Sequence, residues 1–215
     1  MARHHDGRFI VFEGIDGAGT TTQSHRYAAY LRERRRPVHV THEPSEGPVG
    51  LMLRLGLNSR LKLGASNQAQ CMALLFAADR LDHVAHEIEP HLRDGTVVIC
   101  DRYDMSSIAY QTATSRDDDK EAFEAWVRAL NRFAPRPDAT IVLDVSPEEA
   151  DRRRRARLEA QELYEDLDLQ AQLAALYRDA EALVPGDRVI RIDGDQSADA
   201  VAADVQAALA EIISR

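Results

Sequence analysis

Short apolar runs rich in β-branched and aromatic residues alternate along the chain with longer stretches that carry apolar residues at helical spacing. The runs are Phe9–Phe12, Val38–Val40, Thr96–Cys100, Thr140–Val145 and Arg188–Ile192, and each reads as a buried strand. Ser24–Arg36 sets Tyr27, Ala28 and Leu31 against a charged face of Arg32, Glu33, Arg34 and Arg35, which predicts an amphipathic helix halted before Pro37. Further helices are predicted over Leu51–Leu63, over Ser66–Leu92 as the longest, and over Asp104–Gln111. After the acidic residues Asp117–Asp119 another helix holds Phe123, Trp126, Val127 and Leu130, with Trp126 read as core. Ser146-Pro147-Glu148-Glu149 combines a cap, a first-turn proline and acidic residues, the signature of a helix start. Leu173–Leu183 and Ala198–Ile212 supply the last apolar helical faces. Strands alternating with helices throughout imply a single α/β domain over residues 1–215, built on a five-stranded parallel sheet with helices on both faces.

Composition narrows the function classes. The 215 residues are 44% hydrophobic and 29% charged with a net charge of −9, so the basic footprint of a nucleic-acid binder is missing and no nucleic-acid partner is expected. Arg34-Arg35-Arg36 reads as a solvated helix end complementing the helix dipole. No apolar run approaches the ~20 residues of a membrane span, and Met1–Gly7 lacks the apolar stretch of a secretory signal, so the expectation is a cytoplasmic protein without a membrane partner. Cys71 and Cys100 have no CxxC spacing and read as buried free thiols.

The candidate chemistry begins directly after the first strand. Gly14-Ile15-Asp16-Gly17-Ala18-Gly19-Thr20-Thr21-Thr22 follows a strand and opens a helix, where unpaired backbone N–H groups converge on one hollow. The pattern matches G-x-x-x-x-G-K-[ST] at Gly14, Gly19 and Thr21, but Thr20 stands where the lysine belongs. By itself the stretch fits either phosphate binding or a glycine-rich turn kept for close packing. Glu43 and Pro44 follow the second strand, in the region where open α/β sheets hold ligands. Asp151–Arg157 holds five arginines ahead of an acidic stretch running to Asp168. That segment reads either as a solvated helix or as a lid, about 151–168, carrying phosphate-seeking arginines.

Taken together, FEGIDGAG, THEP, LLFAADR and CDRYDMSSIAYQ resemble the thymidylate kinase family of nucleoside monophosphate kinases, along nearly the whole chain. The block Asp101–Gln111 is the most specific, matching D-R-[YH]-x-x-S-x-x-A-Y-Q. The resemblance implies a P-loop nucleoside monophosphate kinase fold with a small lid, and transfer of a phosphoryl group from ATP, with Mg2+, to dTMP. It implies that Gly14 to Thr22 cradle the ATP phosphates, that Thr21 faces magnesium, and that Asp101 lies near the metal and its water shell. Asp16 is expected to approach the acceptor's sugar, and Arg54 the acceptor phosphate. Phe76 is expected to stack on thymine, Arg80 to bind the base and acceptor side, and Arg102 to clamp the transferring or acceptor phosphate. Tyr103 would lie against the deoxyribose, and Ser107 with Gln111 would reach the thymine edge, with Glu43 and Pro44 beside them. The family commonly dimerises through helices, which makes a homodimer the expected assembly.

Two departures from the family remove positive charge. Thr20 replaces the loop lysine, and Glu162-Leu163-Tyr164-Glu165 places leucine where many members carry a lid arginine. Among Arg152, Arg153, Arg154, Arg155 and Arg157 one or more is expected to restore that charge, with Arg153 and Arg157 the leading choices. The alternatives are a nucleotide-binding pseudoenzyme and a kinase for another pyrimidine monophosphate.

Overall fold

Five parallel strands, β1 (Arg8–Glu13), β2 (Val38–His42), β3 (Val97–Asp101), β4 (Ala139–Asp144) and β5 (Val189–Asp193), form one sheet in the order β2-β3-β1-β4-β5. The computed structural model describes residues 6–64, 66–157 and 167–214. The helices are α1 (Thr20–Glu33), α2 (Pro48–Leu57), α3 (Gln68–His83), α4 (Glu89–Arg93), α5 (Asp104–Thr114), α6 (Lys120–Leu130), α7 (Pro147–Arg157), α8 (Leu167–Tyr177), α9 (Ala180–Leu183) and α10 (Ala198–Ser214).

Alternation along β1 explains the layering. Ile10 and Phe12 face the larger core, shared with α1, α5 and α10, while Phe9 and Val11 face a second cluster with Ile88, Leu92, Val98 and Cys100. A strand covered on both faces must be apolar at every position, as Phe9–Phe12 is. Because β1 lies between β3 and β4, its carboxyl end opens into the crevice where the chain switches sides of the sheet. Phe12 pairs with Asp101 in register, so the glycine loop after β1 and the Asp101-Arg102 pair after β3 emerge side by side.

Several boundaries differ from the pattern. The helix expected over Leu51–Leu63 runs from Pro48 to Leu57, because Ser59 takes a left-handed φ of 56° and the N–H groups of Arg60 and Leu61 turn back onto the Leu55 carbonyl. The helix expected over Ser66–Leu92 ends as α-helix at His83 and passes through a π-turn, Val84–Ile88, into α4. Pro90 in the first turn of α4 supplies no N–H, and the wider π-turn accommodates the interruption. Cys100 is buried, but Cys71 is only half-buried, contrary to expectation, and both thiols are free. Trp126 is likewise half-buried, packed on Phe123 at the edge of the core. Among the described residues no helix is long and apolar enough to cross a membrane.

Leu209 of α10 is fully buried in the larger core. Leu209→Ala is expected to lower the unfolding free energy by about 2–5 kcal/mol, read as a lower urea midpoint at unchanged slope. A loss below about 1 kcal/mol would contradict the packing of this helix on the sheet.

Candidate active site

The glycine loop is shaped by the two conformations that only glycine adopts freely. Gly17 and Gly19 have φ of 91° and 97°, and Gly19 caps α1. The first-turn N–H groups of Thr20, Thr21 and Thr22 have no carbonyl within the helix to meet, so they point outward with the positive end of the helix dipole. Ile15 and Ala18 are buried and anchor the loop, whose Ala18 N–H donates to the Ile15 carbonyl at 3.0 Å. Thr22 is exposed. Thr20 is buried, with its methyl turned toward Gly14.

Thr21 is exposed on the crevice side, and its hydroxyl donates to Asp101 Oδ2. Asp101 Oδ1 is buried and has no hydrogen-bond partner among the described residues. A hydroxyl oxygen beside a carboxylate with a spare oxygen is the donor type that hard divalent cations such as Mg2+ take, so these residues fit the group.

Arg102 follows Asp101 with a left-handed φ of 70°, an uncommon conformation for a residue with a side chain. Its N–H donates to the Phe12 carbonyl at 2.8 Å, which fixes the turn against β1. The guanidinium then crosses to the loop, donating to the Gly14 carbonyl at 2.9 Å and to Asp16 Oδ1 at 2.6 Å. It lies 5.3 Å from the centre of the Tyr110 ring. Asp16 also accepts from Gln170 Nε2 at 2.8 Å, while its own N–H donates to Gln170 Oε1.

A second cluster lies beneath the loop after β2. Arg80, only 1% exposed, donates to Glu43 Oε2 at 2.5 Å, to Ser107 Oγ at 3.0 Å and to Asn131 Oδ1. Burial opposes its charge, and the Glu43 and Asp104 carboxylates more than offset this, holding its pKa above the ordinary guanidinium value. His83 meets Glu43 on the other side, Nδ1 to Oε1 at 3.3 Å. Glu43 and Arg80 therefore engage one another, and the exposed rim is left to others. Arg54 donates to the Pro44 carbonyl at 3.0 Å and to Glu46 at 3.2 Å, and Phe76 is half-buried against Leu53, Leu57 and Met72. The Glu43–Pro44 peptide bond is cis.

Gln111 on α5 is fully buried, and neither its Nε2 nor its Oε1 has a partner among the described residues. Tyr103 is buried beneath Arg80, whose guanidinium lies 5.0 Å from its ring centre. Tyr103 precedes α5, Ser107 and Gln111 lie one turn apart along it, and Ser107 is tied to Arg80.

On the far side of the loop, a cleft of about 410 Å3 is lined by Ala18, Gly19, Thr22, Arg153, Gly194 and Gln196 among others. Arg153 closes it by donating to the carbonyls of Ala18 at 3.3 Å and Gly194 at 2.8 Å, and to Glu149 at 2.7 Å. The Arg152 and Arg153 guanidiniums hold the Glu149 carboxyl at about 2. Arg153 is thus a tie across the cleft wall, a different post from the phosphate cation expected of it. The Arg157 side chain and residues 158–166, with the expected lid pattern at Glu162–Glu165, lie outside the described residues.

Glu13 escaped the sequence reading. This last residue of β1 is fully buried and accepts from the N–H groups of Tyr103 at 2.8 Å and Ser106 at 3.2 Å, and from the hydroxyls of Ser106 at 2.5 Å and Tyr177 at 2.9 Å. Burial outweighs these donors and the nearby Arg102 charge, and pushes its carboxyl pKa up. The signal was present: a carboxylate closing an otherwise apolar buried strand needs a reason.

A sequence model described as thymidylate kinase matches residues 12–205. The probable thymidylate kinase of Pyrobaculum aerophilum is 41% identical over 208 residues, covering 96% of each chain. That of Pyrococcus abyssi is 41% identical over 172 residues, covering 80% of this chain and 81% of its own. The corresponding Staphylothermus marinus protein is 38% identical over 205 residues, covering 94% of each. With the match spanning the glycine loop, the Asp101–Gln111 block and β5, the chain belongs to the thymidylate kinase family.

Proposed function

We propose that this chain transfers the γ-phosphoryl group of ATP to dTMP, giving dTDP. The observation that carries the acceptor side is the buried Gln111 amide with both polar atoms unpartnered. Leaving a buried amide unsatisfied is costly, and a pyrimidine edge offers a donor and an acceptor side by side to satisfy it. Phe76 offers a flat face to the base, and Tyr103 to the sugar. Arg80, held by Glu43 and Asn131, keeps Ser107 facing the same space.

Phosphoryl transfer asks the protein for in-line positioning and for cations where charge develops. In this reading the loop N–H groups receive the ATP phosphates, and adenine occupies the cleft closed by Arg153. Arg102 bridges donor and acceptor sides, exchanging Asp16 and Gly14 for phosphate oxygens, while Arg54 meets the acceptor phosphate. Thr21 and Asp101 would hold Mg2+, which supplies charge neutralisation at the phosphate oxygens when bound. Thr20 at the lysine position is what the pseudoenzyme alternative rests on, and the joint presence of the loop, Asp101, Arg102 and Gln111 supports the kinase over it.

The assembly is proposed as a homodimer. Leu51, Met52 and Leu55 on α2 and Leu74 on α3 are exposed on two helices that pack together, an apolar surface that a second copy would cover.

Three measurements check these proposals. Purified protein with Mg·ATP and dTMP is expected to form dTDP, and Asp101→Asn to lower kcat at least about 100-fold; dTMP binding without turnover would overturn the kinase reading. Gln111→Ala is expected to raise the KM for dTMP about 10- to 100-fold, the size of one or two buried hydrogen bonds, with a smaller effect on kcat. An unchanged KM would remove Gln111 from the base site. Sedimentation equilibrium is expected to give a dimer that Leu51→Asp with Leu74→Asp converts to a monomer; a wild-type monomer at micromolar concentration would end the dimer proposal.

A further inference from the structure

The loop supplies no cation of its own. Thr20, at the lysine position, is buried, its methyl group faces Gly14, and its hydroxyl bears no charge. Among the described residues three arginines donate to main-chain atoms of the loop, and they differ in how firmly they are held. Arg102 reaches Gly14 and Asp16 from the β3 side and also donates to Ser106 at 3.1 Å. Arg153 is fixed on the opposite side by Glu149 and by the carbonyls of Ala18, Gly194 and Gln196. Arg154 alone lies over the crown of the loop on long bonds, donating to the Asp16 carbonyl at 3.3 Å and to Asp151 Oδ1 at 3.2 Å.

Its place depends on Gly17. A Cβ on Gly17 would fall 2.4 Å from the Ala150 carbonyl and 3.0 Å from Arg154 Cγ, so α7 can lie flush on the loop only because that residue is glycine. The Arg154 side chain is 13% exposed, and its stem packs against Gly17 of the loop. Nor is its charge fully matched among the described residues. Asp151 is shared with Arg155, whose Nε donates to it at 2.8 Å, so one carboxylate faces two guanidiniums.

We propose that Arg154 supplies, from α7, the positive charge that a lysine supplies from within the loop in G-x-x-x-x-G-K-[ST]. It releases the Asp16 carbonyl and takes β/γ-phosphate oxygens when the triphosphate binds. A guanidinium suits this post because it stays charged and presents paired donors to phosphate. The assignment moves the expected compensating cation from Arg153 and Arg157 to a neighbour, and it rests on the nucleotide site proposed above.

The test uses wild type, Arg154→Ala, Arg154→Lys and the double variant Thr20→Lys with Arg154→Ala. Two readouts are taken: equilibrium binding of Mg·ATP and Mg·ADP without acceptor, and kcat with dTMP. Arg154→Ala is expected to reduce the preference for ATP over ADP about tenfold and kcat about 100-fold or more. A lysine at either position is expected to recover at least about tenfold of the lost kcat, although only one of the two occupies the α7 contact. Unchanged ATP preference and kcat in Arg154→Ala overturn the proposal. So does a loss that neither lysine repairs, because that pattern belongs to a residue that merely seats α7 on the loop. Failure of wild type to phosphorylate dTMP while ATP preference falls in Arg154→Ala would overturn the acceptor reading and support this one. Failure to bind ATP would overturn both.

Discussion

The buried carboxylate of Glu13 is the interaction on which the site depends. It ends β1 at the point where the chain must leave the sheet and form the glycine loop. A charge taken out of water must find donors, and here they come from the start of α5 and the end of α8. Three elements far apart in sequence are thereby drawn to one oxygen pair. Arg102, one residue before Tyr103, acquires its left-handed backbone at the same junction and reaches across to the loop. The glycine loop and the start of α5 share a single anchor, so their spacing is set by packing.

The sheet was legible because a strand buried on both faces cannot be anything but continuously apolar, and the five runs had no competitor. Helix existence was equally plain. Helix ends were less so: Ser59 and Pro90 stop or interrupt α-helix for reasons of backbone geometry that periodicity does not carry. At the site, the Gly14–Thr22 loop and the Asp101–Gln111 block were visible as motifs. The partners of the charges were not. Glu43 and Arg80 looked like two separate substrate contacts, yet they bind one another in the interior, because pairing lowers the cost of burying both. That pairing, with the Arg80–Ser107 bond, joins the turn after β2 to α3 and α5 through contacts separated by many residues and invisible to local spacing.

The same distinction separates the arginines of α7. In sequence Arg152 to Arg155 are equivalent members of a charge run, and only the turn of the helix tells them apart. Arg152 and Arg155 are exposed and pair with their own helix's acids, Arg153 faces the cleft wall, and Arg154 faces the loop. A run that reads equally as a solvated helix or as a set of phosphate-seeking arginines thus divides by face, with Arg153 and Arg154 turned to the loop side.

The chain contains only two lysines, Lys62 and Lys120, and neither belongs to the glycine loop. Lys120 is engaged by the carbonyls of Thr112 and Ser115 at the end of α5. The glycine loop is therefore flanked by guanidiniums and lined with backbone N–H groups, and carries no amine of its own. Acylating nucleotide probes that report on ATP-binding proteins by modifying a loop lysine would find no amine within this loop to react with.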